Sequence, residues 1–223
     1  MMEPSAWNIA AFTALMGVLS TLVALPLGVA AAWVLARRSF PGKPIVETLL
    51  ALPLVLPPVA TGFLLLQFFG LNSVVGRTLD ALGIHVVFTW KAVVVAMAVM
   101  SFPLIVLTVR AGLEQVDRRY ERVAATLGAG PWRVFATITV PLAARSILAG
   151  AILGFARALG EFGATIVVAG GIPGQTQTLA VAIFNFTESG RDADASRLLL
   201  VSIALAFGAM LVANLVQRRR LPA

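Results

Sequence analysis

The 223-residue sequence lacks cysteine, and it contains one histidine, one tyrosine and ten acidic residues. The missing cysteine excludes disulfide bonds, thiolate metal sites and a cysteine nucleophile. The one histidine, His85, lies between two apolar runs and is interpreted as a surface residue. Charged residues make up 12% of the chain and hydrophobic residues 59%, and the mean hydropathy is +0.94. Soluble globular domains lie far from these values, so the sequence predicts a membrane protein.

Long apolar segments predict an all-α polytopic membrane protein. A helix needs roughly 20 apolar residues to cross a hydrocarbon core of about 30 Å. Segments of this kind leave little soluble mass outside them, so residues 1–223 are predicted to form a single transmembrane domain. The predicted spans are 9–36, 46–70, 91–109, 142–169 and 197–217.

Basic residues are distributed unevenly over the predicted loops. Twelve of the seventeen Lys and Arg residues fall in the first loop, in the third loop and after the last span. Because Lys and Arg in short loops are retained in the cytoplasm, this bias predicts an N-terminus outside and a C-terminus in the cytoplasm. The same bias accounts for the net charge of +7, which therefore does not indicate nucleic-acid binding.

The second predicted span contains the proline-rich segment LPLVLPPVATG. Its Pro53, Pro57, Pro58 and Gly62 all lie near membrane depth. Each proline removes a backbone donor, so this helix is predicted to be kinked or broken. Two interpretations remain open: an ordinary transmembrane proline kink, and a segment that lines or gates a pore.

The fourth predicted span carries two opposite charges in the segment FARALGEFGATI. At about 100° per residue, Gly150, Gly154, Arg157 and Glu161 share one helix face, and the small residues predict close packing against another helix. An unpaired ion at this depth costs roughly 3 kcal/mol, so Arg157 and Glu161 are predicted to neutralise each other. The pair is either a static ion pair that fixes helix register, or it lies beside a translocation path. In the second case Arg157 attracts an anion and Glu161 holds a gate.

Segment 110–133 is the largest predicted cytoplasmic piece. An amphipathic helix is predicted from Leu113 to Leu127, and the glycines and proline of GAGP end it. The apolar face of such a helix needs the bilayer surface or a partner to cover it.

This segment resembles the coupling motif of binding-protein-dependent ABC importer permeases. That motif runs Glu-Ala-Ala, three residues, Gly, nine residues, Ile, one residue, Leu-Pro. Arg122 takes the position of the motif's glutamate, with Glu121 one residue earlier, and Val140 replaces its leucine. Three fixed positions match at the motif's spacing, namely Gly128, Ile138 and Pro141.

The stretch FARALGEFGATIVVAGGIPGQTQTLAVAIF is similar to the permeases of molybdate importers, whose relatives carry closely similar LGEFGAT and IPGxTQT segments. The resemblance is strong over residues 110–186, and elsewhere it rests on span layout and on LPLVLPP. Sulfate permeases share the Gly-Glu pair, so a sulfate or thiosulfate permease is an alternative, as is an ATP-independent anion carrier. Tungstate is so similar an oxyanion that the sequence does not separate it from molybdate.

The resemblance implies a type I ABC importer permease fold in the bacterial inner membrane, with about five transmembrane helices plus a cytoplasmic coupling helix. It implies three kinds of partner: a second permease copy, two cytoplasmic ABC ATPase subunits and an extracytoplasmic molybdate-binding protein. The sequence has no G-x-x-x-x-G-K-[ST] loop, so ATP and Mg are expected on the ATPase. The chain itself is expected to be no enzyme and to hold no cofactor or metal.

The resemblance also implies two sets of functional residues. The ATPase-coupling set is Glu121, Arg122, Ala124, Ala125, Leu127 and Gly128. The translocation path and gate set is Pro57, Pro58, Thr61, Arg157, Glu161 and Thr165.

Overall fold

The computed structural model describes residues 5–218, and within that range it is helical and contains no strand. Three helices are long and apolar enough to cross a membrane, namely α1 (Ala6–Arg37), α5 (Trp90–Gln115) and α12 (Asp192–Arg218). The shorter helices are α2 (Lys43–Val55), α3 (Pro58–Phe69), α4 (Val74–Ala81), α6 (Arg118–Thr126), α7 (Pro131–Val134), α8 (Val140–Leu142), α9 (Ala144–Leu159), α10 (Gly163–Ala169) and α11 (Leu179–Glu188). A π-helical segment, Phe135–Thr139, joins α7 to α8.

The predicted number of five spans agrees with the described residues if each bent helix pair is counted as one span. The first, third and fifth predicted spans correspond to α1, α5 and α12, although α12 begins at Asp192 rather than at 197. The second predicted span is broken, and α3 is bent by 112° relative to α2. The cause is the pair Pro57 and Pro58, because neither residue has a backbone N–H and Pro58 is suited only to start a helix.

The fourth predicted span, 142–169, is wrong as a continuous helix. Helix α9 ends at Leu159 and α10 begins at Gly163, and at its other end α9 is bent by 72° from the helical segment Pro131–Leu142. The break between α9 and α10 has a local cause. Glu161 Oε1 accepts the backbone N–H of Ala164 at 2.9 Å and so caps the new helix.

The predicted amphipathic helix from Leu113 to Leu127 is also wrong at its start. Leu113 is fully buried and still belongs to α5, and α6 begins only at Arg118. The separation arises at Asp117, whose side chain accepts the N–H of Arg119 at 2.8 Å as an N-cap. Gly128, with a φ of +85°, then ends the helical turn in the left-handed conformation that glycine adopts without strain.

Helix α5 forms the centre of the bundle, with α1 and α9 packed against it. A methyl group added at Gly154 of α9 would stand 2.6 Å from Cγ1 of Ile105, and one at Gly28 of α1 would stand 2.7 Å from Cγ2 of the same residue. Both helices therefore approach α5 at distances that only glycine permits. The predicted close packing of the Gly150 and Gly154 face is confirmed.

The orientation of the chain across a membrane stays a prediction from its basic residues. Of the three arginines that follow the last predicted span, Arg219 and Arg220 lie outside the described residues. The end of α1 near Ser5 lies beside α11, since Thr13 Oγ1 accepts the N–H of Leu179 at 2.9 Å. Arg37, at the opposite end of α1, lies beside α6.

Candidate functional site

The predicted ion pair between Arg157 and Glu161 is confirmed, with Nη1 lying 2.8 Å from Oε2. Oε2 has no well-formed hydrogen bond among the described residues, so this contact is ionic. The two side chains differ in exposure, because 1% of Glu161 and 29% of Arg157 is accessible. Glu161 therefore faces the protein interior, and part of the Arg157 side chain is open to whatever lies beside the chain.

The break that carries Glu161 lies against the start of α3. A methyl group at Gly62 would stand 2.7 Å from the backbone oxygen of Ala164, and one at Gly163 would stand 2.8 Å from Cβ of Pro58. Helices α3 and α10 therefore meet backbone to backbone. Of the predicted path and gate set, the structure thus brings the segment with Pro57, Pro58 and Thr61 against the segment with Glu161 and Thr165. Arg157 lies on α9 and is joined to this region through its ion pair with Glu161.

Two buried hydroxyl groups lie on these packed helices. Thr61 of α3 is 5% exposed and Thr165 of α10 is fully buried, and neither Oγ1 has a hydrogen-bond partner among the described residues. Buried polar groups are normally paired, so unpaired hydroxyls at a helix contact are unusual. Of Thr61, Thr165 and Arg157, Arg157 alone is partly accessible here, so the two hydroxyls become available as donors only if the contact between α3 and α10 opens.

The predicted coupling residues divide into an outward and an inward group. Helix α6 has no buried residue, and Leu127, just beyond it, is 83% exposed. Tyr120, Val123 and Leu127 follow one another at helical spacing and form an exposed apolar face, here called the α6 face. Arg122, Ala125 and Gly128 are also exposed, whereas Glu121 and Ala124 are half-buried.

Glu121 makes contacts that the sequence analysis did not find. Its Oε1 accepts hydrogen bonds from Nε of Arg37 at 3.0 Å and from Oγ1 of Thr139 at 2.8 Å. In the sequence, Arg37 is only one of the basic residues of the first loop, and nothing singles out Thr139. A pair 84 positions apart has no signal in the periodicity or spacing of one sequence.

His85 is confirmed as a surface residue, since 69% of its side chain is exposed. Its Nδ1 lies 2.8 Å from Oδ1 of Asp80, a contact between the loop that follows α4 and the last turn of α4. In residues 5–218 no cluster of three or more His, Asp or Glu side chains is arranged to hold a metal ion.

Comparison with known proteins gives a family match. Residues 24–221 match the family model described as "Binding-protein-dependent transport system inner membrane component". The chain is 48% identical over 202 residues to the molybdenum transport system permease protein ModB of Escherichia coli (strain K12), covering 90% of this chain and 88% of that protein. It is 44% identical over 220 residues to ModB of Haemophilus influenzae, covering 98% of this chain and 95% of that protein.

A sulfate permease is more distant. The sulfate transport system permease protein CysT of Escherichia coli (strain K12) is 38% identical over 184 residues, covering 81% of this chain and 66% of that protein.

Among solved structures, the MetNI methionine ABC transporter in inward-facing conformations matches with a TM-score of 0.68 at 15% identity, covering 96% of this chain and 93% of that chain. At this identity the likeness shows the fold, which is the one predicted from the coupling motif.

Proposed function

The chain belongs to the family of binding-protein-dependent transport system inner membrane components, and on this basis we propose that it is the permease subunit of an ATP-driven importer of molybdate, with tungstate as a second substrate. The choice of oxyanion is supported by 48% identity to a molybdenum permease against 38% to a sulfate permease. The observation that carries the ATP-driven part is the α6 face, because nothing within residues 5–218 covers it.

The α6 face fits a protein partner better than it fits a membrane. Its apolar residues are flanked by exposed charges, among them Arg119 with 81% of its side chain accessible. Helix α6 is only 9 residues long, and a short helix with one exposed apolar face is suited to a groove on another protein. We assign that groove to a cytoplasmic ABC ATPase, which binds ATP and Mg and supplies the chemistry that this chain lacks.

Arg157 supplies the reason to place a path beside the broken helices. Gly154, one turn before Arg157 in α9, packs against Ile105 near the middle of α5. Arg157 therefore lies near the middle of the predicted membrane span. A charge that faces hydrocarbon at such a depth costs roughly 3 kcal/mol. Its accessible part therefore faces a water-filled path, which a second copy of the chain closes from the other side.

In this arrangement the two charges have separate roles. Arg157 attracts the oxyanion, and the buried hydroxyls of Thr61 and Thr165 become further donors when the contact between α3 and α10 opens. Glu161 faces inward and fixes the start of α10 through its hydrogen bond with the N–H of Ala164. In this way it holds the contact between α10 and α3, which we assign as the gate, in position.

Transport then proceeds by alternating access. ATP binding closes two ATPase subunits, draws the two α6 helices together and opens the permease dimer to the outside, where a docked binding protein releases its anion. ATP hydrolysis lets the two ATPase subunits move apart, and the path then opens towards the cytoplasm again. This direction assumes that α6 lies on the cytoplasmic side, as the distribution of basic residues predicts.

The substrate is tested by ATP hydrolysis of the chain assembled with its ATPase in lipid nanodiscs, with binding protein loaded with molybdate, tungstate or sulfate. Stimulation by the molybdate-loaded and tungstate-loaded forms is expected. Stimulation by the sulfate-loaded form alone would show a sulfate permease. Anion uptake by the chain without any ATPase would show an ATP-independent carrier.

The coupling role is tested by copurification of the ATPase. Leu127→Asp places a charge on the α6 face and is expected to lower ATPase recovery by more than about tenfold. The matched control is Leu82→Asp, a leucine that is 69% exposed in the loop after α4, and it is expected to leave recovery unchanged. Equal recovery with both variants would argue against docking through α6.

A further inference from the structure

Arg37 is the last residue of α1, and its side chain contacts two other segments, α6 and the link between α5 and α6. Only 7% of its side chain is exposed, and Nη2 lies 2.9 Å from Oε1 of Glu121 in addition to the bond from Nε. Nη2 also donates to the backbone oxygen of Val116 at 3.3 Å, in the link between α5 and α6. A guanidinium held at several points in this way is fixed in direction as well as in position.

Thr139 completes the arrangement from the π-helical segment. Its hydroxyl, on a residue that is 1% exposed, donates to the Glu121 oxygen that Arg37 binds. One turn earlier in α1, Trp33 packs edge-on against Phe135 of the π-helical segment, with ring centroids 5.5 Å apart. We call the contacts among Arg37, Glu121 and Thr139 the α1 clamp.

A second bond joins the same two helices. Nη2 of Arg118 donates to the backbone oxygen of Ala36 at 2.9 Å, at the carboxyl end of α1 where helix carbonyls lack internal partners. The bonds of Glu121 and Arg118 hold α6 against α1, while the residues of the α6 face stay exposed. The clamp therefore does not compete with docking of a partner.

Helix α1 is long enough to carry a displacement across the whole bundle. Its 32 residues span about 48 Å, and it packs along α5 and α9 on the way. Near the end of α1 that is opposite to Arg37, Oγ1 of Thr13 accepts a hydrogen bond from the N–H of Leu179, the first residue of α11. A helix fixed at both ends transmits movement from α6 to the opposite face only if its contact with α6 stays closed.

We propose that Arg37 is a positioning residue that clamps α6 to α1, so that α1 moves together with α6 throughout the transport cycle. The proposal rests on the proposed function, because it assigns to α1 the movement that an ATPase imposes on α6. The α1 clamp, as proposed, differs from a contact needed only for folding in one respect. A link that stays closed can be replaced by a covalent one without loss of function.

The test uses the absence of cysteine from this chain. Arg37→Cys combined with Glu121→Cys removes the clamp and provides two thiols that a short bis-maleimide joins, and mass spectrometry identifies the cross-linked chain. In nanodiscs with the ATPase, the uncross-linked variant is expected to lose at least about tenfold in the stimulation of ATP hydrolysis by loaded binding protein. Cross-linking is expected to restore stimulation to within about twofold of the unmodified chain.

Two results would overturn the proposal. If the cross-linked variant stays unstimulated, the contact has to open during turnover. If the uncross-linked variant is stimulated as strongly as the unmodified chain, the clamp is not needed. The unmodified chain in the same nanodiscs separates this failure from that of the proposed function, because without stimulation there the importer assignment fails and the clamp proposal falls with it.

A milder pair of variants decides the matter if the double variant fails to assemble. Thr139→Val removes one hydrogen bond to Glu121 at nearly constant shape and is expected to lower stimulation by about fivefold. Thr137→Val is the matched control, because this exposed hydroxyl bonds only within its own helical segment, to the oxygen of Arg133. Equal stimulation of the two variants would contradict the clamp.

Discussion

Replacement of Arg157 is expected to destabilise the protein more than replacement of its partner. Arg157→Ala leaves the Glu161 carboxylate 1% exposed with the N–H of Ala164 as its remaining contact. Breaking a buried ion pair in this way costs about 3–5 kcal/mol. Glu161→Gln keeps a side-chain oxygen for Ala164 and leaves Arg157 partly accessible, so its cost is expected to be about 1–2 kcal/mol.

The double variant gives the sharper expectation. Arg157→Ala with Glu161→Gln contains no charge at this site, so it is expected to be more stable than Arg157→Ala alone by about 2 kcal/mol. Thermal unfolding of the four proteins in one detergent measures this coupling. Additive losses, or a loss from Glu161→Gln as large as that from Arg157→Ala, would refute the assignment of Glu161 as the buried member of the pair.

Uptake by the double variant separates the two interpretations of the pair. Proteoliposomes that contain the assembled transporter and loaded binding protein measure molybdate entry. A stable double variant that no longer transports indicates that Arg157 lies on the path. A stable double variant that transports at the original rate indicates a static pair that only fixes helix register.

Three further predictions concern the backbone. Gly62→Ala is expected to lower the free energy of unfolding by about 1–3 kcal/mol, because a methyl group there would stand 2.7 Å from a backbone oxygen of α10. Gly208→Ala is expected to raise it by about 0.5–1 kcal/mol, because a methyl group there meets no other described residue within 4 Å; equal shifts in thermal unfolding would contradict this reasoning. Thr13→Val is expected to cost about 1–3 kcal/mol by leaving the first N–H of α11 without a partner, which hydrogen exchange at that amide detects. Gly128→Ala is expected to strain the turn at φ +85° by about 1 kcal/mol and to lower ATPase copurification, whereas Gly130→Ala, at φ −65°, is expected to do neither.

The sequence was sufficient for features that depend on spacing within one segment. Apolar runs predicted the long helices because a span needs a minimum length, and the i, i+4 spacing predicted the contact between Arg157 and Glu161. The prolines predicted the break in the second span because the loss of a backbone donor is a local property. Each of these inferences uses only neighbours along the chain.

The break after α9 was missed because the two charges that interrupt the apolar pattern, Arg157 and Glu161, also fit a continuous helix at i, i+4 spacing. Glu161 is compatible with a helix, and its action as a cap on Ala164 becomes visible only when the side-chain direction is known. The contact of Arg37 with Glu121 was missed for a different reason. It depends on how α1 and α6 are placed by the packing of α1 on α5, and one sequence does not contain that placement.

The two broken spans meet each other, and this meeting gives the strongest physical reason for placing the path there. Irregular backbone at membrane depth is tolerated where protein buries it or where it lines a water-filled cavity. One break begins at Pro57 and the other contains Glu161, and Gly163 against Pro58 brings them into contact. A bundle that only had to span hydrocarbon would gain stability from two continuous helices and from the loss of both charges. The region where both rules are broken together is therefore the one in which we propose the path.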